Sequence, residues 1–255
     1  MADPFVQVQH VDEIAVITLA KGVTNAIDDA LVAQLSAALR DAADDPHVRA
    51  LVLTSSNRKF FSIGFNIPSL YELQSDEFAH FYDAFNQVCL QLYTLPKPSV
   101  AAVSGHALAG GCILALCCDR RIIAEGRKLM GLNEVKLGVP VPFIAECILR
   151  QLIRGREARD VLETGEFYPP ERLLAMGLVD AIEPEPADRL MEAAIETARS
   201  LGSLPLSAYA AIKHSRTVYV QAEVSAKLEE RNRIFFESWN SPEARQLLKA
   251  AMEKF

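Results

Sequence analysis

Two short apolar stretches on either side of one amphipathic helix do most to limit the folds open to this chain. Glu13-Ile14-Ala15-Val16-Ile17-Thr18-Leu19 alternates as a strand does, and Val48-Arg49-Ala50-Leu51-Val52-Leu53-Thr54 reads as a buried strand. Between them Asp28 or Asp29 can cap a helix in which Leu31, Leu35 and Leu39 recur every four residues. Strand, helix and strand at this spacing call for a right-handed crossover and a parallel pair. Ser99-Val100-Ala101-Ala102-Val103 is the next strand, and Arg120-Arg121-Ile122-Ile123-Ala124 another, with a further short strand predicted over 128–132. Beyond Pro142 the pattern turns helical, over 143–154, 156–163 and 170–176, where Gly177 is the stop. One short strand is predicted over 178–182, and everything after Pro186 reads as helix, ending in 223–238 and 242–254. The expected organisation is one α/β core over 1–195 and a helical C-terminal region over 196–255.

Composition narrows the function classes. The net charge is −7, which disfavours a nucleic-acid surface, and half of the residues are hydrophobic, as in ordinary globular proteins. No apolar run reaches the ~18 residues of a membrane span. The start, Met-Ala-Asp-Pro-Phe, carries no secretory or presequence pattern and the end is no peroxisomal address, so cytoplasm is the expected compartment. Cys89, Cys112, Cys117, Cys118 and Cys147 lie mainly in apolar stretches and form no C-x-x-C pair, so buried thiols and no metal are expected.

Chemistry concentrates in three segments. Phe60-Phe61-Ser62-Ile63-Gly64-Phe65-Asn66 and Ser104-Gly105-His106-Ala107-Leu108-Ala109-Gly110-Gly111-Cys112 each place a glycine-bearing turn at the end of a strand, where ligands of α/β folds gather. The helix that opens near Gly110 points free N–H groups and its positive dipole end at the turn. Such a pair of turns can form an oxyanion hole. Glycines needed only for packing would look the same. Gly131-Leu132-Asn133-Glu134-Val135 adds one carboxylate, and two donors with one carboxylate suit proton transfer beside a thioester carbonyl. Glu134 could equally be a surface carboxylate on a loop.

The two turns resemble those of the crotonase (enoyl-CoA hydratase/isomerase) superfamily, F-S-A-G-A-D and N-G-x-A-x-G-G-G-C. Asn25-Ala26, Lys97-Pro98-Ser99-Val100-Ala101-Ala102-Val103 and Leu162-Glu163-Thr164-Gly165-Glu166 match it in order as well. The resemblance implies a ββα spiral core, a C-terminal helical trimerisation region, a homotrimer or dimer of trimers, and an acyl-CoA thioester substrate. Coenzyme A would enter as part of the substrate, with no separate cofactor. It assigns the backbone N–H groups of Ile63 and Gly110 to the oxyanion hole, and Gly64, Phe65, Asn66, Ala26, Ile113 and Phe143 to substrate binding.

Hydratases of this family carry two glutamates. The first falls on Ile113 and the second on Glu134, so a single base remains. Gly131-Leu132-Asn133-Glu134-Val135-Lys136-Leu137-Gly138 resembles the G-L-N-E-x-x-L-G of the Δ3,Δ2-enoyl-CoA isomerase branch. Pro142 and Val141 stand where dienoyl-CoA isomerases and dehalogenases place their acidic groups, and Asn66 replaces the usual Asp. The implied activity is the shift of a 3-enoyl-CoA double bond to 2-trans-enoyl-CoA, with Glu134 as the single base and acid. Hydration, thioester or C–C cleavage, and non-catalytic acyl-CoA binding are the alternatives. A pocket of Ile113, Phe65 and Phe143 would raise the pKa of Glu134 to ~6–7. His106 is expected to pack or bond to backbone, His80 to lie exposed, and Arg231, Arg233 or Phe235 to approach the CoA nucleotide.

Overall fold

The computed structural model describes residues 4–184 and 188–253. The expectations that rest on the first three residues, on Pro186 and on Lys254 therefore lie outside the described residues. Strands β1 (Val6–Val11) and β2 (Ile14–Leu19) form a hairpin turned at Asp12, and helix α1 (Asp29–Asp44) crosses to β3 (Ala50–Ser55). Asp28 caps α1 by accepting from the Leu31 N–H at 3.2 Å. β2 and β3 pair in parallel, as the crossover requires.

The chain then alternates between two sheets. β4 (Phe60–Ser62) belongs to the second sheet, and α2 (Ile67–Tyr71) and α3 (Ser75–Thr94) lead back to β5 (Ser99–Val103). β6 (His106–Leu108), α4 (Gly110–Cys117), β7 (Arg120–Ala124), β8 (Met130–Gly131) and a 3₁₀ turn (Glu134–Leu137) follow. After α5 (Phe143–Leu152), α6 (Arg156–Thr164), β9 (Phe167–Tyr168), α7 (Pro170–Met176) and β10 (Ala181–Glu183), three helices finish the chain. These are α8 (Asp188–Gly202), α9 (Leu206–Trp239) and α10 (Pro242–Met252). The large sheet runs β1-β2-β3-β5-β7-β10 and the small one β4-β6-β8-β9.

Period-two alternation decides which side of the large sheet each residue serves. Ile14, Val16, Val52, Val100 and Ala102 face α8 with Leu190, Ala194 and Ala198. Ile17, Leu19, Leu53, Ala101 and Val103 face the main core under α1, α3 and α4. The five cysteines are buried and unpaired. Three expectations are corrected here. The C-terminal helix begins at Leu206 rather than 223, the late strand is Ala181–Glu183 rather than 178–182, and the segment 104–109 holds a strand as well as a turn.

Helix α9 is rooted by a buried charge cluster. The Lys213 Nζ donates to Asp119 Oδ2 at 2.7 Å and to the Lys97 carbonyl at 3.2 Å, and Arg216 pairs with the other Asp119 oxygen. Asp119 also accepts from the Ser99 N–H at 2.9 Å, which ties α9 to the centre of the sheet.

Gly111 fixes how closely α4 approaches β4. A Cβ there would overlap the Ser62 carbonyl oxygen and sit 2.8 Å from Ser62 Cβ. Gly111→Ala should therefore lower unfolding free energy by about 1–3 kcal/mol through overpacking. Urea denaturation of the variant beside wild type measures that loss.

Candidate active site

Parallel pairing of β4 with β6 and of β6 with β8 brings three chain segments to one end of the small sheet. There Ile63-Gly64-Phe65, Ala109-Gly110 and Asn133-Glu134 meet around a single cavity of about 190 Å³.

The first turn is laced to the segment before α1. The Ile63 N–H donates to the Thr24 carbonyl at 2.9 Å, the Ile27 N–H to Gly64 at 2.8 Å, and the Asn66 N–H to Ile27 at 2.8 Å. The Ser62 hydroxyl donates to the Asn25 carbonyl at 2.8 Å. Asn25 is fully buried in a left-handed conformation, and its amide donates to Ser55 Oγ and the Phe61 carbonyl at 2.7 and 3.0 Å.

These bonds correct the expected donor assignment. The one hydrogen of the Ile63 amide is committed to Thr24, so it cannot also serve a ligand. Phe65, two residues on, donates to no acceptor among the described residues, and neither does Gly110 at the start of α4. Both line the cavity. The two turns touch: a Cβ on Gly64 would lie 2.9 Å from Ala109 Cβ and 3.0 Å from the Gly110 nitrogen. Ala109 reaches this position with φ of 47°, held by its N–H donating to Gly131 at 2.9 Å.

Glu134 opens the 3₁₀ turn and projects into an apolar enclosure. Its side chain is 5% exposed, and Oε2 has no hydrogen-bond partner among the described residues. Burial pushes its pKa up to about 7, offset in part by a bond from its own backbone. Desolvation penalises the carboxylate and nothing cationic repays it, so the group is poised to exchange a proton near neutrality. Among the described residues it is the sole ionisable side chain in the cavity wall, where Asn133 is its polar neighbour.

Several expected binding residues take other places. Ile113 is fully buried in the core behind α4 and does not line the cavity. Phe143 lies outside it too, its ring 4.5 Å from the Arg231 guanidinium on a separate small cleft. Ala26 and Gly64 shape the turns without entering the wall, and Asn66 caps α2 through Ser69. Capping gives a reason for an amide where an acid is more usual, because either side-chain oxygen serves. His106 accepts from the Leu129 N–H at 3.1 Å and packs on Phe60, a structural histidine, while His80 is exposed on α3. Phe235 lines the cavity, whereas Arg233 faces a different groove.

The rest of the wall was not anticipated. Leu137, Val139 and Phe167 close one side, and Trp239, Leu248 and Ala251 from α9 and α10 close another. The available signal was the single tryptophan of the chain, four residues and so one helical turn after Phe235.

Among the described residues no helix is long and apolar enough to cross a membrane. Residues 9–255 match the enoyl-CoA hydratase/isomerase family profile. The chain is 32% identical over 173 residues to the mitochondrial enoyl-CoA delta isomerase 1 of Mus musculus, a match covering 68% of this chain and 60% of that protein. The match thus spans about 60% of the isomerase's length. A probable enoyl-CoA hydratase of Bacillus subtilis is 30% identical over 94% of this chain and 93% of its own. Among solved structures, human mitochondrial delta3-delta2-enoyl-CoA isomerase superposes with a TM-score of 0.93 at 25% identity, covering 98% and 97% of the two chains. A profile match over nearly the whole sequence, on a crotonase-type α/β fold with a C-terminal helical region, makes this chain a member of the enoyl-CoA hydratase/isomerase family.

Proposed function

We propose that the chain is an enoyl-CoA isomerase that moves a 3-enoyl-CoA double bond to the 2-trans position. The observation that carries the reading is Glu134 alone: one buried carboxyl, a pKa of about 7, and no second acid in the cavity wall. The carboxylate takes a proton from C2, and the electron pair spreads over the dienolate to the thioester oxygen and C4. The Phe65 and Gly110 N–H groups stabilise that oxygen. Glu134 then returns its proton to C4, so atoms balance with no water consumed. Hydration instead asks for a second group to place and deprotonate water, and position 113 offers an aliphatic side chain sealed in the core. A homotrimer or dimer of trimers, working in the cytoplasm without a separate cofactor, completes the reading. Ile212 and Tyr219, 73% and 75% exposed on one side of α9, support such an assembly. The likeness to a probable hydratase over nearly all of both chains favours hydration as the second reading.

Glu134→Gln should lower kcat for isomerisation by roughly 10²–10⁴ while acyl-CoA still binds. Turnover near that of wild type would refute the single-base assignment.

With a base that titrates near 7, kcat/KM should rise as pH climbs from 6 to 8 and then level. Stability should move the opposite way. The folded carboxyl holds its proton more tightly than the unfolded one, so its contribution is full below the ordinary value of 4.5 and is lost as pH rises through about 7. The loss amounts to about 3 kcal/mol, and Glu134→Gln should remove this slope in denaturant titrations.

Product analysis on wild type separates the two readings. Isomerisation of 3-enoyl-CoA leaves the mass unchanged, whereas 2-enoyl-CoA should gain water far more slowly. Equal rates would replace the isomerase reading with the hydratase one.

A further inference from the structure

We propose that Trp239 ends the acyl cavity and limits the bound chain to a medium length, because the small enclosed space, about 190 Å³, is closed by its ring. The inference rests on the acyl-CoA reading above. The two free N–H donors and Glu134 lie at the strand ends, so a thioester placed there sends its chain toward α9 and α10. That side is shut. Trp239, Phe235 and Leu248 are 3%, 2% and 0% exposed. The Trp239 ring stacks on Phe78 with centroids 4.2 Å apart and planes at 15°, and Phe78 stacks in turn on Phe235. A wall built from stacked, buried rings does not swing aside as a lone side chain would. Its composition also fixes the chemistry of the chain. Apart from Asn133 and Glu134, the lining side chains are apolar, which selects a hydrocarbon tail over one bearing hydroxyl or charged groups.

Trp239 is the one tryptophan in the sequence, so its fluorescence reports filling of the cavity end. The experiment titrates the full chain with butanoyl-, hexanoyl-, octanoyl-, dodecanoyl- and hexadecanoyl-CoA, read by fluorescence and by calorimetry. These saturated probes need no turnover. Affinity should rise about fourfold per methylene up to octanoyl-CoA and then fall. Trp239→Ala, followed by calorimetry, should move the optimum to longer chains. Ala251→Leu adds bulk to the same wall without emptying the core, and should move it to shorter ones even where the tryptophan variant does not fold. Hexadecanoyl-CoA binding wild type as tightly as octanoyl-CoA would overturn the length limit while leaving the acyl-CoA reading intact. An unchanged ranking in Ala251→Leu would do the same. Failure of every acyl-CoA to bind would overturn both.

Discussion

The geometry of the site depends on how one loop is tied to another. Residues 24–27 run beside the turn after β4 and exchange three backbone hydrogen bonds with it, and the Ser62 hydroxyl and the Asn25 amide add side-chain ties. Each tie is worth only ~1 kcal/mol net. Together they commit the Ile27, Ile63 and Asn66 N–H groups and leave that of Phe65, in the cavity wall, without an acceptor among the described residues. Asn25 makes this possible by accepting a left-handed backbone, which asparagine tolerates better than most residues, and by using its amide inside the protein. An oxyanion hole needs donors that are free and yet cannot turn away. Here freedom and rigidity come from the same lacing.

A buried carboxyl without a partner is costly, and this fold carries one in the cavity wall. The cost falls on the charged form, so it reappears as a raised pKa rather than as a broken structure. The aromatic packing around Phe65, Phe81 and Phe85 keeps the wall apolar, with Phe65 edge-on to both neighbours at 5.0 and 4.8 Å. Phe65 therefore does two things. Its ring dries the cavity that it lines, and its backbone N–H meets no acceptor among the described residues, beside a space where an electrostatic contact is stronger than in water.

Periodicity made the large sheet and α1 legible, because alternation in residues 13–19 and 48–54 directly reports two differently packed faces. Of the short strands of the small sheet, β8 fell inside the strand predicted over 128–132, whereas β4, β6 and β9 were not legible. Two or three residues carry no period of their own, so such strands depend on their neighbours in the sheet. At the site, the family resemblance singled out Glu134, Gly110 and Ile63; all three line the cavity, but the Ile63 N–H is committed elsewhere. Choosing between Ile63 and Phe65 requires knowing that Thr24 lies within 2.9 Å of the former, a contact across thirty-nine positions of sequence. Ile113 was misplaced for a related reason. It lies one turn after Gly110 on a helix whose residues are all buried, so no apolar pattern separates its cavity side from its core side.

The C-terminal region shows how a distant charge cluster can serve the site. Lys213 and Asp119 form a buried ion pair, and such pairs often add little net stability compared with apolar packing. What the pair does add is position. Lys213 can reach Asp119 and the Lys97 carbonyl in only one register of α9, so the helix cannot slide without leaving a buried charge unpaired. From Lys213 the helix runs unbroken to Trp239, about 40 Å at 1.5 Å per residue. The register set at one end thus fixes which side chain closes the cavity at the other. A one-residue slip would turn Trp239 by about 100° and take its ring off Phe78. The ion pair is better understood as the reference mark for the cavity wall than as a source of stability.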